Sequence, residues 1–295
     1  MPDPFSHAPF AVIATLAGLA GLALGSFATC AGHRLAHGGS VLSPARSYCP
    51  ACGHTLSWRE NIPLLGWLVL LGKCRHCGAP IPARYPLTEL ASGAFAVAAA
   101  HVFGFTPHLA VALAFATVCL VLSLIDLQTY LLPDTLTLPG AALALACSTL
   151  LPPLWTLGVG WRAALLGALA GGGGLWLIAW LYERLRGIEG LGLGDAKLML
   201  LFGALLGPAA VPVILFAGAC LALPAGIIAL RTQRKAARHD GAAQAPSGEA
   251  DLLDDEDGTG MQTRLPFGPF LCAGALAYLL VGPSLLHWWL GIPLP

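Results

Sequence analysis

Gly190-Leu191-Gly192-Leu193-Gly194-Asp195-Ala196-Lys197 is a glycine-rich turn that ends on a carboxylate, and an apolar run, Leu198 to Leu230, follows at once. Upstream, a second carboxylate stands at the foot of another apolar run, Val121-Leu122-Ser123-Leu124-Ile125-Asp126. An Asp beside a lipid-buried segment is costly, about 2.5–3.5 kcal/mol at a helix centre. Two such residues ask for a function. If Asp126 and Asp195 face each other, they do not both ionise, and the pair supplies an acid and a base together. Gly192 and Gly194 would let backbone pass close to a substrate, with Lys197 completing the turn. The competing interpretation is structural: Asp195 caps the helix after it, and Asp126 ends its own helix in water.

The surrounding composition sets the class. The chain has 295 residues, 57% hydrophobic and 10% charged, with a mean hydropathy of +0.75. Soluble domains carry about 25% charged residues, so this is an all-α, polytopic membrane protein. Zero net charge argues against a nucleic-acid partner. Met1 to His7 lacks Lys and Arg, and no small-residue cleavage site closes the first apolar run, so no removable signal peptide is expected.

A membrane span needs about 20 apolar residues. Candidate runs lie at Ala8–Cys30, Pro86–Phe105, His108–Ile125, Leu136–Trp155, Trp161–Tyr182, Ala196–Leu206, Pro208–Leu230 and Phe267–Leu290. That is about eight spans, the sixth short and parted from the seventh by Gly207-Pro208. The expected divisions are a first helix at 1–32, a cytoplasmic loop domain at 33–85, and a membrane peptidase domain at 86–295. The last contains an acidic stretch, about 236–262, expected to be disordered. With eight spans, only Arg162 of the fifteen Lys and Arg residues falls outside the cytoplasm, as the positive-inside rule asks. Asp126, at the end of the third span, and Asp195, at the start of the sixth, then lie at the same cytoplasmic boundary. One span more or fewer between them would have put them on opposite faces.

The first polar loop holds Cys49-Pro50-Ala51-Cys52 and Cys74-Arg75-His76-Cys77, with 21 residues, 53–73, between the pairs. Cys49, Cys52, Cys74 and Cys77 fit a tetrahedral four-cysteine zinc site. Bound zinc would contribute on the order of 10 kcal/mol to a loop with little core of its own. Two disulfides are the alternative, disfavoured in a cytoplasmic loop. His54 and His76 read as surface residues. Cys30, Cys119, Cys147, Cys220 and Cys272 read as small core residues, and Trp58, Trp67 and Tyr85 as an interfacial belt. Asp134 is expected to be the N-cap of the fourth span. Gly171 to Gly174 would permit close helix packing or a kink.

Several motifs together resemble the type IV prepilin peptidases, the leader peptidases of type IV pili and type II secretion. They are Gly25-Ser26-Phe27, the two CxxC pairs, Asn61-Ile62-Pro63-Leu64 with Trp67, Gly72-Lys73-Cys74-Arg75 and Arg84-Tyr85-Pro86-Leu87-Thr88-Glu89-Leu90. Asp126 with Leu132-Pro133-Asp134, Gly192 to Lys197, and Pro266-Phe267-Gly268-Pro269-Phe270 complete the set. The resemblance covers most of the chain. It implies a bifunctional enzyme of the bacterial inner membrane. Such enzymes cleave the short basic leader of prepilins or pseudopilins on the cytoplasmic side, typically after Gly. They then N-methylate the new N-terminus, often Phe, with S-adenosylmethionine. Asp126 and Asp195 match the family's catalytic aspartates, and the tetracysteine loop matches the region tied to methyl transfer and substrate handling. Where the family usually has Asn-Val after Gly25-Ser26-Phe27, Thr29-Cys30 stands here. No glycine-rich dinucleotide-type turn marks a methyl-donor site, so the methyltransferase half rests on resemblance.

The expected chemistry is direct attack by water, one carboxylate taking its proton while the protonated partner polarises the scissile carbonyl. Two alternatives stand beside it. A presenilin-like GxGD protease would carry Tyr before its first Asp, where Ile125 stands here. A zinc-stabilised transporter would carry ionisable groups at mid-membrane, where these runs hold almost none.

Overall fold

Backbone amides in lipid have no water to pair with, so apolar runs of this length close their hydrogen bonds internally as helices. The computed structural model describes residues 10–41, 43, 46–153, 157–187, 192–243 and 266–290. It is helical throughout, with two isolated β-bridges in the first loop and no sheet among the described residues.

In chain order the helices are α1 (Phe10–Ala36), a short α2 (Leu65–Val69), α3 (Arg84–Phe103), α4 (Pro107–Thr129) and α5 (Asp134–Leu150). Then α6 (Trp161–Ala168) passes through a π-helical turn, Leu169–Gly173, into α7 (Gly174–Arg186). Last come α8 (Leu193–Leu206), α9 (Ala210–Ala243) and α10 (Gly268–Leu290). Five stretches among the described residues are long and apolar enough to cross a membrane: Phe10–Ala36, Arg84–Phe103, Pro107–Thr129, Trp161–Arg186 and Ala210–Thr232. The other expected spans are helical but shorter. α5 has 17 residues and α8 has 14, and the apolar stretch of α10 is Gly268–Gly282.

The shortness of α8 has a packing explanation. It lies between α5, α6, α7, α9 and α10, and Leu198, Met199, Leu201, Phe202 and Leu205 are almost wholly buried. A helix jacketed by other helices need not match the thickness of the bilayer. Glycine makes the jacket tight. A β-carbon at Gly203 would stand within van der Waals overlap of the Gly167 carbonyl, and the reverse holds at Gly167. Gly171 and Gly172 likewise meet Met199 and Leu200, whereas Gly173 and Gly174 face open space. The expected glycine packing therefore belongs to half of that run, and the π-helical turn in the same place supplies the irregularity.

α1 and α3 form a second tight pair. Added β-carbons at Gly21 and Gly25 would lie 2.5 Å from Ala96 Cβ and 2.8 Å from Glu89 Cα, and Thr29 shares a hydrogen bond with Thr88, 2.7 Å. α4 packs on both α1 and α3, and α10 touches α4, α8 and α9. α10 thereby joins the α1–α3–α4 group to the α5–α9 group.

Two expectations are corrected. Asp134 is the first residue of α5 rather than its N-cap. Pro133 holds the cap, and the Asp134 carboxylate pairs instead with Lys197 Nζ; an ammonium within reach outcompetes a neutral amide for it. The stretch expected to be disordered from 236 is helical to Ala243, because Gln233 to Ala237 is made of strong helix formers. The remainder, 244–262, lies outside the described residues, as do Gly190, Leu191 and Trp155.

Candidate active site

Asp126 sits in the last turn of α4, which closes on Tyr130 in the left-handed conformation with its amide bonded to the Asp126 carbonyl, 2.9 Å. The residue is 6% exposed. Its Oδ2 accepts the backbone N–H of Gly268, 3.0 Å, at the start of α10. A β-carbon at position 268 would lie 2.6 Å from that oxygen, so only glycine allows the approach. Behind Asp126, Val121 and Ile125 pack on Ala28 and Ala31 of α1. Asp126 does not end its helix in water.

Asp195 lies in the first turn of α8, half-buried, with Gly192 at the N-cap. It is not the capping residue, though a carboxylate there meets the positive end of the helix. The Asp195 carboxyl lies within electrostatic range of the Asp126 carboxyl. Residues 69 positions apart in sequence (126 and 195) thus come within electrostatic reach at one end of the bundle. The supporting residues divide. Gly194 packs its backbone against Leu132, where a β-carbon would meet Cδ1 at 3.2 Å. Gly192 is open, with Asp195 Oδ2 the one neighbour an added β-carbon would meet, at 3.8 Å. Lys197 ties α8 to α5 through Asp134.

The four loop cysteines converge. Their Sγ atoms all lie within 4.8 Å of one another, with Cys49–Cys77 at 3.8 Å and Cys52–Cys74 at 4.0 Å. Metal–sulfur bonds of about 2.3 Å in a tetrahedron set sulfurs about 3.8 Å apart, whereas a disulfide needs about 2.05 Å. The set fits a metal ion. Each pair is held by the same turn. Cys49 O accepts from Gly53 N and Cys74 O from Gly78 N, at 2.8 and 2.9 Å, while Cys49 N donates to His54 O and Cys74 N to Ala79 O. Gly53 and Gly78 each adopt φ of +70°. The amides of Cys77 and His76 bring the Cys74 thiol down to about 7. Cys52 receives the amide of His54, yet desolvation and the other three sulfurs push it up to about 11. A bound cation resolves that conflict by favouring all four thiolates. His54 and His76 stack on each other, ring centroids 3.4 Å apart, and do not belong to the set.

The aromatic residues separate. Trp58 is exposed, with Arg59 over its ring. Trp67 is part of the loop's framework: its Nε1 donates to Ile81 O, 3.1 Å, and its ring abuts Gly72. Of the five membrane-run cysteines, Cys119 and Cys272 are buried, Cys30 and Cys147 partly so, and Cys220 is exposed on α9.

Sequence reasoning missed three features. Gly268 holds Asp126, a role that the family motif Pro266-Phe267-Gly268-Pro269-Phe270 does not announce. Gly53 and Gly78 shape the cysteine turns, and the repeated Cys-x-x-Cys-Gly was the available signal. Leu64 has φ +61° and ψ −51°, with Leu65 N bonded to Pro63 O at 2.6 Å, a γ-turn. No side-chain pattern announces it.

Comparison with known proteins places these features. The model of the bacterial peptidase A24 N-terminal domain matches residues 19–103, and that of the type IV leader peptidase family matches residues 113–227. A protein named prepilin leader peptidase/N-methyltransferase from Burkholderia pseudomallei (strain 1026b) is 41% identical over 264 residues, 90% of this chain and 76% of its own length. One so named from Klebsiella pneumoniae is 44% identical, covering 66% of this chain and 85% of its own. Another from Myxococcus xanthus (strain DK1622) is 33% identical, covering 93% and 90%. No solved structure matches the chain.

Proposed function

This chain belongs to the type IV leader peptidase family, and from that premise we propose that it is a membrane aspartic endopeptidase that removes the leader of prepilins or pseudopilins and then N-methylates the new N-terminus. What supports the peptidase half is that Asp126, with its Oδ2 held by the Gly268 amide, lies within electrostatic reach of Asp195. The pair acts as a unit sharing one proton. One carboxylate takes a proton from water as it attacks the scissile carbonyl. The protonated partner donates to the carbonyl oxygen and afterwards helps protonate the leaving amine.

Residues 33–85 form the cytoplasmic part, held by structural zinc on Cys49, Cys52, Cys74 and Cys77, and 86–295 the peptidase part. The methyl donor is S-adenosylmethionine, which supplies an electrophilic methyl group. The protein resides in the bacterial inner membrane with the carboxylate pair facing the cytoplasm. Basic residues at that end support the orientation: Arg34 closes α1, Arg84 opens α3, and Arg184 and Arg186 close α7. The substrate's apolar helix lies in the bilayer while its basic leader stays in the cytoplasm.

Co-expression with a prepilin, read by mass spectrometry for cleavage and for N-methylation, tests both halves. Asp126→Asn and Asp195→Asn should each abolish cleavage. Retained cleavage in either rejects the paired-carboxylate mechanism, and a cleaved but unmethylated product from the wild type rejects the methyltransferase half alone.

A further inference from the structure

Between its two CxxC pairs the cysteine loop carries an apolar run, Ile62-Pro63-Leu64-Leu65-Gly66-Trp67-Leu68-Val69-Leu70-Leu71-Gly72. A run of this length is too short to cross a bilayer. It suits either a buried core or a segment that enters one leaflet and returns. Here it makes little core. Gly66 packs on the Glu60 carbonyl, and Trp67 on Gly72 and Ile81. Leu65, Leu68, Val69 and Leu71, however, are 57–83% exposed. Leu64 and Leu71, on either side of α2, have φ of +61° and +51°. A bulky side chain is strained in that region, where glycine is at ease. Leu71 keeps the strained backbone and still turns its side chain outward, an arrangement with no benefit in water.

The height of the run along the bundle names its surroundings. Only Gly104, Phe105 and Thr106 join α3 to α4, so positions on both helices can be counted from that end. Pro107 to Asp126 on α4 is five residues longer than Phe103 back to Glu89 on α3. At about 1.5 Å per residue, Glu89 therefore stands about 7 Å deeper in the bundle than Asp126, and as far below Arg84. Glu89 Oε2 accepts the amide of Leu64, 2.8 Å. The tip of the loop thus turns back to the membrane side of both Arg84 and Asp126. Leu87 and Leu90, at that height on α3, are exposed as well.

The backbone of the run is closed on itself. The amides of Leu65, Gly66, Leu68, Leu70, Leu71 and Gly72 all donate to carbonyls between Ile62 and Leu68. Pro63 has no amide, and Leu64 is served by Glu89. Internal pairing of this kind is what lipid demands of a segment and water does not.

We infer that α2 and its flanking turns are a re-entrant anchor, with Leu65, Leu68, Val69 and Leu71 seated among the acyl chains of the leaflet nearer the carboxylate pair. Interfacial helices bury their apolar faces about 5–10 Å into that boundary, the depth at which Glu89 holds Leu64. No charged residue lies between Asn61 and Gly72, while exposed Arg59 and Lys73 bracket the run and meet lipid phosphates. The anchor fixes the metal-binding turns, on both sides of it in sequence, against the membrane surface.

Wild-type protein in nanodiscs, one copy per disc and without prepilin, tests the proposal. The discs contain phospholipid with a diazirine on the acyl chain. After irradiation and peptide mapping, adducts should fall within 64–72 at a yield like that at Leu87 and Leu90, and be absent from 46–56 and 74–82. Hydroxyl-radical footprinting of the same discs should leave Leu68 and Leu71 almost unoxidised while Tyr48 is oxidised. Adducts on α3 with none in 64–72, or ready oxidation of Leu68 and Leu71, overturns the anchor. So do leucines that escape the lipid label but crosslink to an added prepilin, or to a second copy in discs that hold two, since the face then belongs to that protein.

Discussion

The amide of Gly268 donates to Oδ2 of Asp126 across 142 positions of sequence, at 3.0 Å. It joins the start of the last helix to the end of the fourth, so the orientation of one carboxylate depends on where α10 docks. The contact exists only because position 268 has no side chain. Gly268→Ala should therefore misplace Asp126 by several tenths of an ångström without unfolding the bundle. We expect prepilin cleavage to fall about 100-fold with little change in thermal unfolding. Cleavage at the wild-type rate would show that the orientation is set elsewhere.

Asp126→Asn and Asp195→Asn remove members of one unit, so their effects should not add. The double variant should cleave no more slowly than the worse single variant, measured as initial rates on one prepilin. An additive loss would mean that each carboxylate works alone.

Lys197 and Asp134 are 34% and 57% exposed at their side chains, so their pair contributes little to stability, on the order of 1 kcal/mol or less. Its importance lies in the register of α8 against α5, two residues beyond Asp195. Lys197→Ala should slow cleavage more than it lowers the unfolding temperature. The swapped pair, Lys197→Asp with Asp134→Lys, should recover part of the rate.

Gly167 and Gly203 meet with no room for a methyl group on either. Gly203→Leu should destabilise the protein by roughly 3 kcal/mol or more, since overpacking forces two backbones apart. Thermal unfolding in detergent reads this directly; a small loss would mean that α6 and α8 separate easily.

Metal removal should act locally. Chelation, or Cys49→Ser, should expose the peptide bonds of 46–82 to protease and release about one equivalent of zinc, while helical content hardly changes. An intact loop after complete metal loss would leave the four sulfurs without a structural role.

Much was legible in the residues alone. Apolar runs, basic residues gathered at one end, two CxxC pairs and two carboxylates at span boundaries each act through local chemistry, and local chemistry is written in order along the chain. The membrane class and the four-cysteine cluster follow from it, and so does the proposal that Asp126 and Asp195 act as a pair. The tertiary structure alone decided which backbone touches which. That Gly268 seats Asp126, that Asp134 holds Lys197 rather than capping α5, that α8 can be short because other helices enclose it, and that Glu89 takes the amide of Leu64 at a strained turn are all contacts between distant segments. Close packing selects such contacts by shape, and no pattern of residue types along one segment records the shape of another.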